Sequence, residues 1–155
     1  MAGEPPARAF VRLEQDEALA LAATMPVGRI VHARGERMFV APVNVLLEQR
    51  DVLFRTAPDT ELLTAARVNA SAAFEVDDVI DWSRSGWSVL IRGRLSEVTD
   101  AETVQRVLSS QLRPWAAGDR DHVLRLSGQE VTGRRLEPGP GGTATLDGRG
   151  TPSNP

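Results

Sequence analysis

From Val27 onward the apolar residues of this chain recur mostly at every second position, in short segments divided by tight turns. That period limits the fold more than any other feature, because alternation places successive side chains on opposite faces of a strand. Val27–Ala33 reads as a strand and Arg34-Gly35-Glu36 as a turn. Arg37–Leu47 follows, with Phe39, Ala41, Val43, Val45 and Leu47 on one face. Pro42 lacks a ladder N–H, so it implies an edge position or a bulge there. Gln49-Arg50-Asp51 turns the chain into Asp51–Thr56. Ala70–Val76 leads to an acidic turn at Asp77, Asp78 and Asp81. Gly86–Val98 is the longest predicted strand, and Gly93 marks a kink where a barrel must bend. His122–Leu126 and Gln129–Leu136 read as two final strands.

Helical period appears in three places. Leu13 to Met25 repeats Ala18, Leu19, Ala22 and Ala23 on one face, carries Glu14, Asp16 and Glu17 in its first turn, and stops at Pro26. Thr60 to about Val68 buries Leu62, Leu63 and Ala66. Asp100 caps a third helix running to Leu112. These elements predict a mainly β (α+β) domain: a small barrel of about six antiparallel strands with peripheral helices. A dinucleotide-binding α/β sheet is disfavoured, since strands and long helices do not alternate and no G-x-G-x-x-G occurs.

The expected organisation is a flexible N-terminus over residues 1–12, one domain over 13–137, and a disordered Pro/Gly-rich tail over 138–155. At 155 residues the chain can bury a full core without metal or disulfide. It has no cysteine, which removes thiolate ligands and cysteine nucleophiles. It also has no lysine, so all 18 basic side chains are arginine and no Schiff base can form. A net charge of −3 gives no reason to seek nucleic acid or an anionic membrane, and no apolar run approaches membrane-spanning length. A cytoplasmic location is expected. His32 and His122 stand apart on strand-like segments without metal-ligand spacing, and no G-x-S-x-G elbow exists, so zinc and hydrolase chemistry are not expected.

Six stretches carry a more specific signal: Ala41-Pro-Val-Asn-Val, Phe54-Arg-Thr-Ala-Pro-Asp-Thr-Glu-Leu, Phe74-Glu-Val-Asp-Asp, Gly86-Trp-Ser-Val-Leu-Ile-Arg-Gly, and the closing Pro114-Trp-Ala-Ala-Gly and Thr132-Gly-Arg-Arg-Leu. In this order and spacing they resemble the FMN-binding split barrels of the pyridoxamine 5'-phosphate oxidase-like family, whose members read roughly PVN, FRTAPGTKL, FEVD, GWSV and TGRR. The resemblance runs from Val27 to Leu136. It implies a homodimeric FMN-dependent oxidoreductase acting on a small-molecule substrate, with the flavin in a groove at the subunit interface. Arg55, Thr56 and Thr60 match the phosphate cradle; Asn44 and Ser88 match flavin-facing positions; Trp87 matches an aromatic neighbour; Arg134 or Arg135 matches a basic residue reaching in from the partner. Trp115 stands between dimer packing and ring contact. No catalytic residue is assigned.

One departure bears on the cofactor. Where relatives carry Gly-Thr-Lys, this chain has Asp59-Thr60-Glu61, a change of three charge units beside the expected phosphate. Both carboxylates are also expected to compete for free helix N–H groups. A charge-assisted hydrogen bond is worth about 1.5–3 kcal/mol, enough to shift affinity tenfold or more. The alternatives are therefore a deazaflavin cofactor anchored on other arginines, or a non-catalytic flavin- or ligand-binding barrel.

Overall fold

The alternation predicted from Val27 onward produces a sheet that closes on itself. The computed structural model describes residues 10–81, 83–110, 112 and 118–137. Its elements are β1 (Phe10–Leu13), α1 (Gln15–Ala22), β2 (Val27–Arg34), β3 (Arg37–Glu48), β4 (Asp51–Thr56), α2 (Glu61–Arg67), β5 (Ser71–Ile80), β6 (Ser85–Glu97), α3 (Ala101–Ser109) and β7 (His122–Leu136). The strand order is β1-β7-β4-β3-β2-β5-β6, and β6 pairs again with β7. Six strands, β7-β4-β3-β2-β5-β6, thus form a closed antiparallel barrel, with β1 added along β7. Closure removes the free sheet edges that would otherwise template aggregation.

Three sequence expectations change. The two final strands are one, because β7 runs unbroken through Ser127-Gly128 and absorbs the irregularity as a register shift opposite Arg92 and Gly93. The kink at Gly93 is thereby found where the barrel bends. Residues Phe10 to Arg12, expected within a flexible N-terminus, pair with Leu136 to Arg134 of β7, and Leu13 is buried. Asp77 and Asp78 do not turn; they continue β5 opposite Ser88 and Trp87. The segment around Trp115 and the tail from residue 138 lie outside the described residues.

The core fills the barrel with side chains from the inward faces of its strands. Ile30, Phe54, Phe74, Ile91, Leu95, Leu124 and Leu126 are fully buried. α1 and α2 are short and use small or aliphatic faces, Ala18 and Ala22 from one and Leu62, Leu63, Ala65 and Ala66 from the other, to cover the same core. α3 closes a smaller cluster of Leu53, Val98, Val107, Leu112 and Val123 on the outside of the barrel wall. Asp100 caps α3 as expected, accepting the Thr103 N–H at 2.9 Å. Pro42 sits where β3 pairs only with β2, since the β3–β4 ladder covers Val45 to Glu48.

A polar clasp ties α2 to the closing strands. Arg67 Nε donates to Glu97 Oε2 at 2.9 Å, and His122 Nδ1 lies 2.7 Å from Glu97 Oε1. The Arg67 hydrogen bond, followed by that of His122, holds the Glu97 carboxyl below its ordinary value of 4.5. A depressed carboxylate contributes stability above the unfolded-state value and loses it as pH falls through the folded-state value. Glu97→Gln should therefore lower the melting temperature at neutral pH, and the difference from wild type should shrink as pH drops from about 5 to 3. Thermal melts across that range provide the check; a pH-independent difference would assign Glu97 a packing role only.

Candidate functional site

Beside the barrel core, at the mouth left by β2, β3 and the end of β4, lies a cavity of about 410 Å3. Four predicted residues meet there: Asn44, Arg55, Thr56 and Thr60. Local structure explains why. β4 ends at Thr56, which is 2 % exposed, and the chain turns through Pro58 and Asp59 before Thr60 caps α2. The Leu63 N–H donates to Thr60 Oγ1 at 3.2 Å, and the Thr56 and Thr60 hydroxyls lie 2.9 Å apart. Both hydroxyls are thus fixed on one wall. Ile30, Phe39, Ala41, Val43 and Leu62 supply apolar walls.

Arg55 is held rather than waving in solvent. Its Nε donates to the Arg120 carbonyl at 2.7 Å, its Nη2 stands 3.5 Å from Asp121, and its side chain is 17 % exposed. Arg120 itself lines the cavity, and its buried Nε has no hydrogen-bond partner among the described residues. Sequence reading missed Arg120, because an Asp-Arg-Asp loop carries no period and no motif; only the folded contact with Arg55 brings it to the site.

The expected clash at the cradle takes a different form. Neither carboxylate caps α2, a role that belongs to Thr60. Glu61 lines the cavity and receives both of its hydrogen bonds from Arg34 Nη1, at 3.1 and 3.2 Å. Asp59 adopts φ 59°, the left-handed region that glycine adopts without cost.

The remaining predicted residues lie elsewhere on the chain. Trp87, Ser88 and Arg134 line a second groove of about 800 Å3, which shares no residue with the first cavity. Arg134 Nε donates to Ser88 Oγ at 3.3 Å, and its guanidinium lies 4.9 Å from the centre of the Phe10 ring. Arg135 enters neither space and pairs with Glu17 at 2.9 Å. Among the described residues no cluster of His, Cys, Asp or Glu suits a metal ion, and no helix is long and apolar enough to cross a membrane.

With this geometry in place, comparison with known proteins is decisive for the family. Residues 14–135 match the family model described as pyridoxamine 5'-phosphate oxidase. The chain belongs to that family. The uncharacterized protein Rv0080 of Mycobacterium tuberculosis is 37 % identical over 134 residues, 84 % of this chain and 88 % of that protein. The solved structure of an FAD binding protein from Mycobacterium smegmatis is 32 % identical, with a TM-score of 0.65 over 83 % of this chain and 100 % of that one. A FAD-binding protein from Mesorhizobium loti, 23 % identical, shares the fold at a TM-score of 0.70 over 84 % of this chain and 99 % of that one. The barrel of this chain is therefore the split β-barrel of the pyridoxamine 5'-phosphate oxidase fold.

The left-handed backbone at Asp59 gives a test of the loop that positions Thr60. Asp tolerates that region better than alanine does, and glycine tolerates it best. Asp59→Ala should destabilise the protein by about 1 kcal/mol, whereas Asp59→Gly should be neutral or slightly stabilising. Urea denaturation of the two variants distinguishes backbone strain from any role of the carboxylate, which both variants remove.

Proposed function

We propose that this family member is a flavin-dependent oxidoreductase that works as a homodimer, each flavin lying between the first cavity of one protomer and the second groove of its partner. The observation that carries the reading is the convergence of Asn44, Arg55, Thr56 and Thr60 on one cavity of mixed chemistry. A flavin nucleotide asks for that mixture: cations and hydroxyls at its phosphate, polar partners at its pyrimidine edge, and apolar walls for its ring. The residues present fit. Arg120 adds a cation with an unpartnered buried N–H, in a chain that lacks the family's lysine. Arg55, Arg120, Thr56 and Thr60 would hold the phosphate end, Asn44 would serve the ring, and the partner's Trp87, the partner's Ser88 and the partner's Arg134 would complete the enclosure. The flavin supplies the redox chemistry; the protein orients it and limits water.

Two observations support the dimer. One chain leaves its candidate residues in two separate spaces. Apolar side chains are also left exposed near both: Met38 and Val40 on β3, and Phe10, Val79 and Ile80 around the second groove. Analytical ultracentrifugation at micromolar concentration should show a dimer, and Met38→Glu should weaken it without lowering the protomer's content of folded structure. A monomeric wild type would remove the shared site.

The cofactor is FMN or, as in the Mycobacterium smegmatis relative, FAD. Glu61 is the residue that separates them. FMN ends in a phosphate monoester that carries close to two negative charges, and a carboxylate on the cavity wall opposes it. Glu61→Lys should raise FMN affinity about tenfold or more, because it adds a donor and releases Arg34 from its ion pair. Riboflavin affinity should barely move. Arg120→Ala should do the reverse for FMN and again spare riboflavin. Fluorescence titrations of both ligands measure these changes, and equal effects on both would place Glu61 and Arg120 away from the phosphate. A purified protein that neither carries nor binds any flavin would favour a ligand-binding role without redox chemistry.

A further inference from the structure

The first cavity contains a histidine that the fold leaves unused. His32 lies on β2, points inward with Gly28 and Ile30, and is 3 % exposed. Its Nδ1 and Nε2 are both buried, and neither has a hydrogen-bond partner among the described residues. One flat face stacks on Phe39, with ring centroids 5.0 Å apart and planes at 12°. Both rings line the cavity. A neutral imidazole has one N–H donor and one acceptor nitrogen, and burying them unpaired costs the ligand-free protein free energy. Opposite Phe39 and Ala72, an aliphatic residue would fill the same space without that cost. The second histidine shows the contrast, since His122 is satisfied by Glu97.

We propose that His32 is a ligand-binding residue, and that it hydrogen-bonds an uncharged polar group of the flavin held in this cavity. The inference rests on the flavin reading above. The charge layout of the cavity makes the partner group uncharged. Its lining cations, Arg55 and Arg120, come from the end of β4 and the segment before β7. His32 stands opposite Phe39, five residues along β3 from Asn44, a span of roughly 16 Å. The other residues with which the β2–β3 hairpin lines the cavity are uncharged, and Arg34, two residues beyond His32, is paired with Glu61. A phosphate oxygen bonded to His32 would give up the two cations and the Thr56 and Thr60 hydroxyls that serve the phosphate end. A hydroxyl of the sugar-alcohol chain or a polar atom of the ring would not. The chemistry recognised is therefore common to riboflavin, FMN and FAD.

The test compares wild type, His32→Leu and His32→Gln, using riboflavin, FMN and FAD as probes. Leucine should raise the melting temperature of the flavin-free protein by about 2 °C or more, since an unpaired polar group leaves the interior. The same change should weaken riboflavin and FMN by an equal factor of about tenfold. Glutamine keeps a donor and an acceptor and should stay within about threefold of wild type. A variant-free readout guards against misfolding: the 15N resonances of the His32 ring in wild-type protein should move on addition of riboflavin. Unchanged affinity in His32→Leu, a loss confined to FMN, a lower melting temperature in the leucine variant, or unmoved 15N resonances would each overturn the proposal while leaving flavin binding intact. A wild-type protein that binds none of the three flavins would overturn the flavin reading and this inference with it.

Discussion

Everything in this molecule depends on the pairing of one strand with three others. β7 hydrogen-bonds β4 through its first five residues, β6 along nearly its whole length, and β1 at its end. Without that ladder the sheet would be an open ribbon, with β6 at one edge and its apolar face uncovered. The closure needs very close backbone approach at two points. A Cβ on Gly93 would collide with the Ser127 carbonyl, and one on Gly128 with the Arg50 carbonyl. Neither obstacle is the end of a flexible side chain, so no larger residue can be accommodated by a rotamer change. The register shift between Arg92 and Gly93 is the same event seen from β6: one strand takes an extra residue so that both can keep their inward faces on the core.

Closure also determines where a ligand can go. Six short strands enclose an interior filled by Ile30, Phe54, Phe74, Ile91 and their neighbours, which leaves no room for a cofactor inside. The available space lies at the rim. There β3 extends past its ladder with β4, and α2 begins immediately after β4. That arrangement puts a strand end, a helix cap and a strand segment paired on one side only around one cavity, with hydroxyls from Thr56 and Thr60 and the locked pair Arg55 and Arg120. A rim cavity is open on one side by construction. The apolar residues exposed nearby are the feature a second copy would cover in the proposed dimer.

Much of this was legible in the chain. Period-two segments predicted β2, β3, β4 and β6 to within a residue at each end, ended β5 four residues early and split β7 in two, and the Pro-Val-Asn and Phe-Arg-Thr stretches contain the cavity residues Asn44, Arg55 and Thr56. What escaped had no local signature. β1 is four residues long with three exposed side chains, so it has no alternation to read, and only its docking on β7 makes it a strand. Asp77 and Asp78 are polar enough to suggest a turn, yet cross-strand pairing with β6 overrides their low strand propensity. Arg120 acquires its role from Arg55, 65 residues earlier. Glu61 does load the first turn of α2, but its hydrogen-bond partner, Arg34 on β2, lies 27 residues earlier in the chain. The separation of Trp87, Ser88 and Arg134 from the other site residues is likewise a property of barrel geometry, invisible in motif order.

His32 shows a different kind of limit. In the sequence it is one of two histidines without a metal-like neighbour, and that argues only against a metal site. In the fold a different absence carries the meaning. A core histidine with a structural role should have a partner for at least one ring nitrogen, as buried polar groups almost always do. Among the described residues His32 has none, lies on a cavity wall, and stacks on Phe39, another wall residue. Selection for stability alone would replace such a side chain, since its desolvation is not repaid by any hydrogen bond within the described fold. An unpaired polar group at the edge of a cavity is what a bound polar ligand would satisfy. The same logic applies to the buried Nε of Arg120, another residue of the same lining. An occupant that offers an anionic group to Arg120 and an uncharged polar group to His32 would satisfy both, and a flavin nucleotide combines the two.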